Sequence, residues 1–176
     1  MDFLPSFSLT VPVTIKSLVF SGPARVFEST TDCMQAIEDR VVQPGDVVIA
    51  RNQGLKGGPA MGGSASVILF ALDAAGLAKT TAFVTDGQLS GLCLKGLTVA
   101  EVSPEAATGG PIGKVRDGDV VTISVKGRSI DLAVSPAELA AREVPGYRTP
   151  ATGYLSNFRE GVRPLDTGGV LLPQGD

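Results

Sequence analysis

TAFVTDGQLSGLCLKGLTVAEVSPEAATGGPIG, residues 81–113, holds two apolar runs set between glycine-rich loops. The first, Ala82-Phe83-Val84, stops at Asp86-Gly87, and the loop that follows presents a hydroxyl, Ser90, beside Gly91. The second run, Leu97 to Val102, ends at Ser103-Pro104-Glu105, with Gly109-Gly110-Pro111 beyond it. Short apolar runs bounded by turn residues predict buried strands, here Thr81–Val84 and Leu97–Val102. So many glycines between strands bring backbone close to something, either a ligand or another strand.

Upstream, Ser29-Thr30-Thr31-Asp32 reads as a helix start, with Cys33, Met34, Ile37 and Val41 on one face. Pro44-Gly45-Asp46 predicts a turn into a buried strand, Val47–Ala50. A glycine-rich loop, Gly54–Gly63, leads to a helix from about Ser64 to Ala75. Its apolar stripe is Val67, Ile68, Ala71, Leu72 and Ala75, and Gly76 takes the C′ position. Downstream, Asp117-Gly118-Asp119 turns into a hairpin, Val120–Val125 and Ser129–Val134, closed by Lys126-Gly127. Ser135-Pro136-Ala137-Glu138 has the spacing of a capping box with proline at N1. From about Pro145, Gly146, Pro150, Gly153, Pro164, Gly168 and Gly169 break any period, and such a tail is poorly ordered when alone. These elements predict a mixed β-barrel or sheet with flanking helices.

Composition narrows the function classes. The chain has 176 residues, net charge −3, 5% aromatics and no tryptophan. One domain with a real core is expected. Without a basic patch or stacking platform, nucleic acid is a poor partner. No apolar run reaches bilayer length, and the N-terminal segment lacks a basic leader and a cleavage site, so neither a membrane span nor a secretory signal is expected. Cys33 and Cys93, far apart in sequence, form neither a disulfide framework nor a metal cluster, which fits a reducing cytoplasm. The chain has no histidine. Ser-His-Asp and Cys-His catalysis and all His-ligated metal sites are therefore excluded within this polypeptide.

The motifs T-D-G-x-x-S-G (Thr85–Gly91), V-S-P-E-A-A-x-G-G-P-I (Val102–Ile112) and R-D-G-D (Arg116–Asp119) resemble the C-terminal domain of the dihydroxy-acid dehydratase / phosphogluconate dehydratase family. The similarity runs in order through Phe20–Phe27, Pro44–Ile49, Lys56–Met61 and Val134–Arg142, and Lys56-Gly57-Gly58-Pro59 favours the dihydroxy-acid branch. The resemblance implies a β-rich α/β fold, a swivelling β/β/α barrel like the small domain of aconitases. It divides the chain into an N-terminal lead-in (1–17), the swivelling domain (18–145) and a C-terminal tail (146–176) that packs on a partner domain. It implies a hydro-lyase that turns 2,3-dihydroxy acids into 2-keto acids with an iron–sulfur cluster and Mg²⁺. Most ligands for these lie on a larger N-terminal domain that this chain lacks. The isolated chain is accordingly expected to hold no cofactor and to need that cluster-bearing domain or subunit as partner, with a homodimer as a further option.

By the same resemblance Ser90 is the base that takes the Cα proton. A free serine is a weak base unless its alkoxide is stabilised, and the bland alternative is a turn serine. Lys56, Gly57 and Gly58 form a loop whose N–H groups suit a carboxylate, beside the positive end of the following helix. It is not a Walker A loop. Asp86, Gly87 and Gly91 complete the candidate substrate contacts, although Asp-Gly is also an ordinary turn pair. Cys93 reads as a small core residue. Glu105 reads as a carboxylate favourable at a helix start, and Arg116, Asp117 and Asp119 as turn residues.

Two departures stand out. The family's magnesium-ligating glutamate two residues after the methionine is Gly63 here, and its histidine two residues before S-P-E is Glu101. Glu101 is therefore a candidate metal ligand in place of the missing carboxylate, against the alternative of an exposed strand glutamate. Strand alternation puts Val99 and Glu101 on one face and Ala100 and Val102 on the other. Three readings stay open: one half of a hydro-lyase completed by another polypeptide, an inactive truncated dehydratase, or a module that binds carboxylates or proteins.

Overall fold

The computed structural model of the chain describes residues 6–10, 19–58, 62–90, 95–144, 146 and 150–171. Along the chain run β1 (Ser6–Thr10), β2 (Val19–Phe27), α1 (Thr30–Glu38), β3 (Val47–Ala50), α2 (Gly62–Ala74), β4 (Ala82–Thr85) and β5 (Leu97–Ser103). β6 (Val120–Ser124), β7 (Ser129–Leu132), α3 (Pro136–Ala141) and α4 (Tyr154–Gly161) follow. The strands make one seven-stranded sheet in the order β1-β5-β4-β3-β2-β6-β7. β2, β3, β4 and β5 are parallel neighbours, while β1, β6 and β7 pair antiparallel. The fold is the β-rich mixed α/β arrangement with flanking helices expected from the sequence. α1 and α2 supply the crossovers for the parallel pairs β2–β3 and β3–β4. Among the described residues no helix is long and apolar enough to cross a membrane.

Alternation along the central strands feeds two cores. Val47 and Ile49 of β3 and Ala82 and Val84 of β4 join Val121, Ile123 and Ile130 of the hairpin on one face. Val48, Ala50 and Phe83 face the other way, onto Cys33 and Ile37 of α1 and Ile68, Leu69 and Leu72 of α2. A strand buried on both faces reads as an unbroken apolar run, which is why β3 and β4 are legible in the sequence.

β1 and β2 were not predicted as strands, and β2 does not run as one uninterrupted pairing. The strand changes partners after Gly22-Pro23. Val19–Pro23 pair antiparallel with β6, and Ala24–Phe27 pair parallel with β3. Proline, which has no N–H to give a ladder, sits where the pairing switches.

Helix ends follow the capping signals. The Ser29 side chain accepts from the Asp32 amide and the Ser135 side chain from the Glu138 amide, each cap worth about 1 kcal/mol. The faces needed correction. α1 ends at Glu38, and Arg40 then takes a left-handed φ of 57°. Val42 is consequently buried, and Val41 is not. In α2 the buried stripe is Ala65, Ile68, Leu69 and Leu72, leaving Val67 and Ala75 exposed. Because α2 is apolar around much of its girth, sequence period alone could not pick the inward face.

Gly110 and Gly63 give opposite expectations. A Cβ on Gly110 would fall on the Pro104 carbonyl oxygen, whereas one on Gly63, in the first turn of α2, would meet nothing within 4 Å. Gly110→Ala should lower stability by about 2–3 kcal/mol or more through forced backbone displacement. Gly63→Ala should raise it by roughly 0.5–1 kcal/mol through helix propensity. Urea denaturation midpoints of the two variants should move in opposite directions.

Candidate functional site

Just beyond the carboxyl ends of the parallel strands, four loops meet, the place where open α/β sheets usually bind ligands. β2 delivers Glu28, β3 delivers Arg51, Asn52 and Gln53, β4 delivers Asp86 and Gly87, and β5 ends at Ser103 ahead of Glu105.

Two buried carboxylates knit these loops together. Asp86 is fully buried. Its Oδ1 accepts from the Gln53 amide at 2.8 Å, and its Oδ2 from the amides of Asn52 at 3.1 Å and Ala106 at 2.9 Å. Glu105 Oε1 accepts from the amides of Lys56 at 2.7 Å and Gly57 at 2.8 Å. Burial pushes the Asp86 carboxyl up to about 6, against the pull of its three N–H donors, and the nearby Glu105 charge adds to the rise. Burial also raises Glu105, opposed by the loop amides and the Lys56 charge.

A third knot surrounds Arg51, itself buried. Its guanidinium donates to the carbonyls of Gly113 at 2.7 Å and Val115 at 2.9 Å and pairs with Glu28. Asn52 donates to Glu28 Oε2 at 2.6 Å, while its own Oδ1 is buried with no hydrogen-bond partner among the described residues.

The sequence-predicted residues take the following places. Ser90 is half-buried, and its amide donates to Ser66 Oγ at 2.9 Å, which fastens its loop to the start of α2. Lys56, Gly57 and Gly58 do form the loop before α2. The amides offered to a ligand carboxylate are taken internally, two by Glu105 and that of Gly58 by the Gly54 carbonyl at 3.0 Å. The Lys56 ammonium donates to the Arg159 carbonyl at 2.7 Å near the end of α4, and Arg159 donates to the Gly58 carbonyl at 2.8 Å. Within this chain the tail thus returns to the loop, and a cleft of about 590 Å³ opens between them, edged by Lys56, Thr108, Ser156 and Glu160. Gly91, Cys93 and Pro59-Ala60-Met61 lie outside the described residues. Cys33 is buried on the inner face of α1, and burial pushes its thiol up to about 12.

Glu101 requires a correction. It has φ +55° inside β5, and the pairing with β1 slips there, Ser6 facing Ser103 while Ser8 faces Ala100. This is a β-bulge with its extra residue in the left-handed region. Alternation fails as a result, and Val99 and Val102 share one core. Glu101 is half-buried outside that core, its amide donating to the Gly87 carbonyl at 3.0 Å. The bulge therefore ties Glu101 to the loop that carries Ser90.

Glu105, Arg51, Asn52 and Glu28 were missed as organisers of the site. Glu105 makes no side-chain cap to its own short helix. The usable signal was an acid in the same glycine-rich stretch as Asp86, with backbone amides in need of acceptors. Among the described residues no group of three or more His, Cys, Asp or Glu could hold a metal ion.

A mixed α/β domain with its polar loops gathered at one end of a parallel sheet is the class this geometry defines. The chain belongs to the dihydroxy-acid/6-phosphogluconate dehydratase C-terminal family, whose model matches residues 10–169. It is 41% identical over 94% of its length to dihydroxy-acid dehydratase 2 of Bordetella bronchiseptica. It is 45% identical over 79% to the dihydroxy-acid dehydratase of Koribacter versatilis, and 43% over 87% to that of Pyrococcus furiosus. The chain spans 29%, 24% and 28% of those relatives.

The raised Asp86 carboxyl sets a pH dependence. The folded chain keeps a proton between about pH 4 and 6 that the unfolded chain has lost, so this group's contribution falls as pH rises through that window. The loss is on the order of 3 kcal/mol. Urea midpoints from pH 4 to 7.5 should show this component in the wild type and lack it in Asp86→Asn. An identical slope in both proteins would remove Asp86 as its source.

Proposed function

We propose that this chain is the C-terminal half of a hydro-lyase that dehydrates 2,3-dihydroxy acids to 2-keto acids, working in the cytoplasm with a cluster-bearing N-terminal domain or subunit. Family membership at 41–45% identity to dihydroxy-acid dehydratases supports the reaction class. The observation that carries the reading is the anchoring of Ser90. The Ser90 amide is fixed to Ser66 on α2, and Asp86, a few residues earlier in the same loop, is held by three backbone amides. A base must be held still to act, and the segment from Asp86 to Ser90 is anchored at its two ends.

In the reaction the C2–H bond breaks, its electron pair forms the C2=C3 double bond, and hydroxide leaves C3. The enol then becomes the 2-keto acid. Ser90 is the group on this chain that would take the C2 proton. Lowering its pKa and accepting the hydroxide fall to groups outside the described residues. Glu101 is the carboxylate this chain would offer to magnesium, which is commonly held by one or two carboxylates together with waters and substrate oxygens. The alternative of a carboxylate-binding module gains no support from the Lys56–Gly58 loop, whose amides Glu105 and Gly54 already occupy.

Assembly is the first test. The chain joined to its cluster-bearing half should turn over a 2,3-dihydroxy acid, while the isolated chain, reconstituted anaerobically, should show neither turnover nor stoichiometric iron. In the assembled enzyme Ser90→Ala should lower kcat by at least about 10²–10⁴ with folding unchanged. Near wild-type kcat would remove Ser90 from the mechanism.

Glu101 is tested by magnesium titration of the same assembly. Glu101→Gln should raise the magnesium concentration for half-maximal activity by about tenfold or more. Gly63→Glu in that background should recover it, because space is open around Gly63. An unchanged magnesium requirement in Glu101→Gln would return Glu101 to the status of a bulge residue alone.

A further inference from the structure

α2 has two apolar sides, and among the described residues only one of them is packed into a core. Its sequence, GGSASVILFALDA, carries a single charged residue, Asp73, which pairs with Lys95 at 3.1 Å. Ile68, Leu69 and Leu72 are buried beneath it. On the outer side Gly63, Val67, Phe70 and Ala74 follow helical spacing and are all exposed, Phe70 at 45%. The face does not stop at the helix end. Ala74 also lines an open cleft of about 510 Å³ between α2 and α1, together with Ile37, Val42, Pro44 and Leu77, and with Glu38, Arg40 and Gln43 as its polar members. Helices apolar all round belong in interiors, and a continuous exposed apolar face marks a contact surface.

The geometry points to this face, from Gly63 through Phe70 into the α1–α2 cleft, as the docking surface for the part of the dehydratase polypeptide outside this chain. The inference rests on the proposed function and names where its partner sits. The chain spans only 24–29% of relatives such as those of Koribacter and Bordetella, and on the proposed function the remaining length is the body that would lie against it. The stripe begins at the end of α2 where Ser66 holds the Ser90 loop. A body covering the stripe therefore also reaches the site that it must complete. A second copy of the chain would cover the face yet bring only another half-site. A lipid surface fits poorly, because α2 lacks the basic flank that interfacial helices carry.

The test is a photo-cross-link in the source cells, in the chain as it occurs there. A benzophenone amino acid is placed at position 70, at position 67 as a second site, and at exposed position 126 in the β6–β7 turn as the control. Positions 67 and 70 should each cross-link to dehydratase sequence outside residues 1–176, at ten times or more the yield of position 126. Peptide mapping reads this whether the attached sequence lies on the same polypeptide or another. Cross-links only to a second copy of residues 1–176, or to unrelated protein, or at the control yield, would overturn the assignment. Repeating the experiment with Ser90→Ala separates the two readings. The cross-link should persist there whatever happens to turnover, so a failure of the proposed chemistry is read apart from a failure of docking.

Discussion

Two carboxylates placed inside the protein and bonded to backbone amides hold the functional end of this molecule together. Asp86 reaches from the end of β4 to the loop after β3 and to the turn after β5. Glu105 reaches from that turn back to the loop before α2. Neither makes an ion pair with a lysine or arginine among the described residues. Their charge is met mainly by N–H dipoles, which fix direction more tightly than a flexible cation does. The cost is desolvation, visible in the upward shift of both groups. Strand ends that would otherwise fray are thereby fixed against one another. Six loop amides, those of Asn52, Gln53, Lys56, Gly57, Gly58 and Ala106, are committed within the chain.

This commitment changes the meaning of the glycines. Gly58 lies so close to the backbone of Asn52 and Gln53 that no side chain fits, and Gly110 lies in the same way against Pro104. The close approach inferred from composition is real, and at these two positions its object is the chain itself. The hydroxyl of Ser90 and the carboxylate of Glu101 are then carried on a stiff base. Glu101 adds local strain of its own, since a non-glycine residue in the left-handed region costs of order 1–3 kcal/mol.

Much of the fold was legible in the sequence because burial on both faces writes itself as unbroken apolar runs, as in β3 and β4. Caps at Ser29 and Ser135 were legible because their chemistry is local. What failed was whatever depended on partners distant in sequence. β2 was lost because its two halves pair with different neighbours, the change falling after Gly22-Pro23. The inward face of α2 was lost because both its faces are apolar. The orientation of Glu101 was lost because a bulge interrupts the period that the argument used. At the candidate site, Ser90 and Asp86 were singled out through their motif. Glu105 was set aside as a helix-start acid because its amide partners lie about fifty residues earlier in the chain. Arg51 and Glu28 carry no motif at all and become visible only where strand ends converge.

β2 belongs to two neighbourhoods at once, its first half laddered to the hairpin and its second half to the parallel strands. The antiparallel hairpin and the parallel layer therefore share one piece of covalent backbone instead of merely touching. Pulling β6 away loosens Val19–Pro23, and that slack passes directly to Ala24–Phe27 and so to β3. Coupling between the two halves of the sheet is thus built into the chain path.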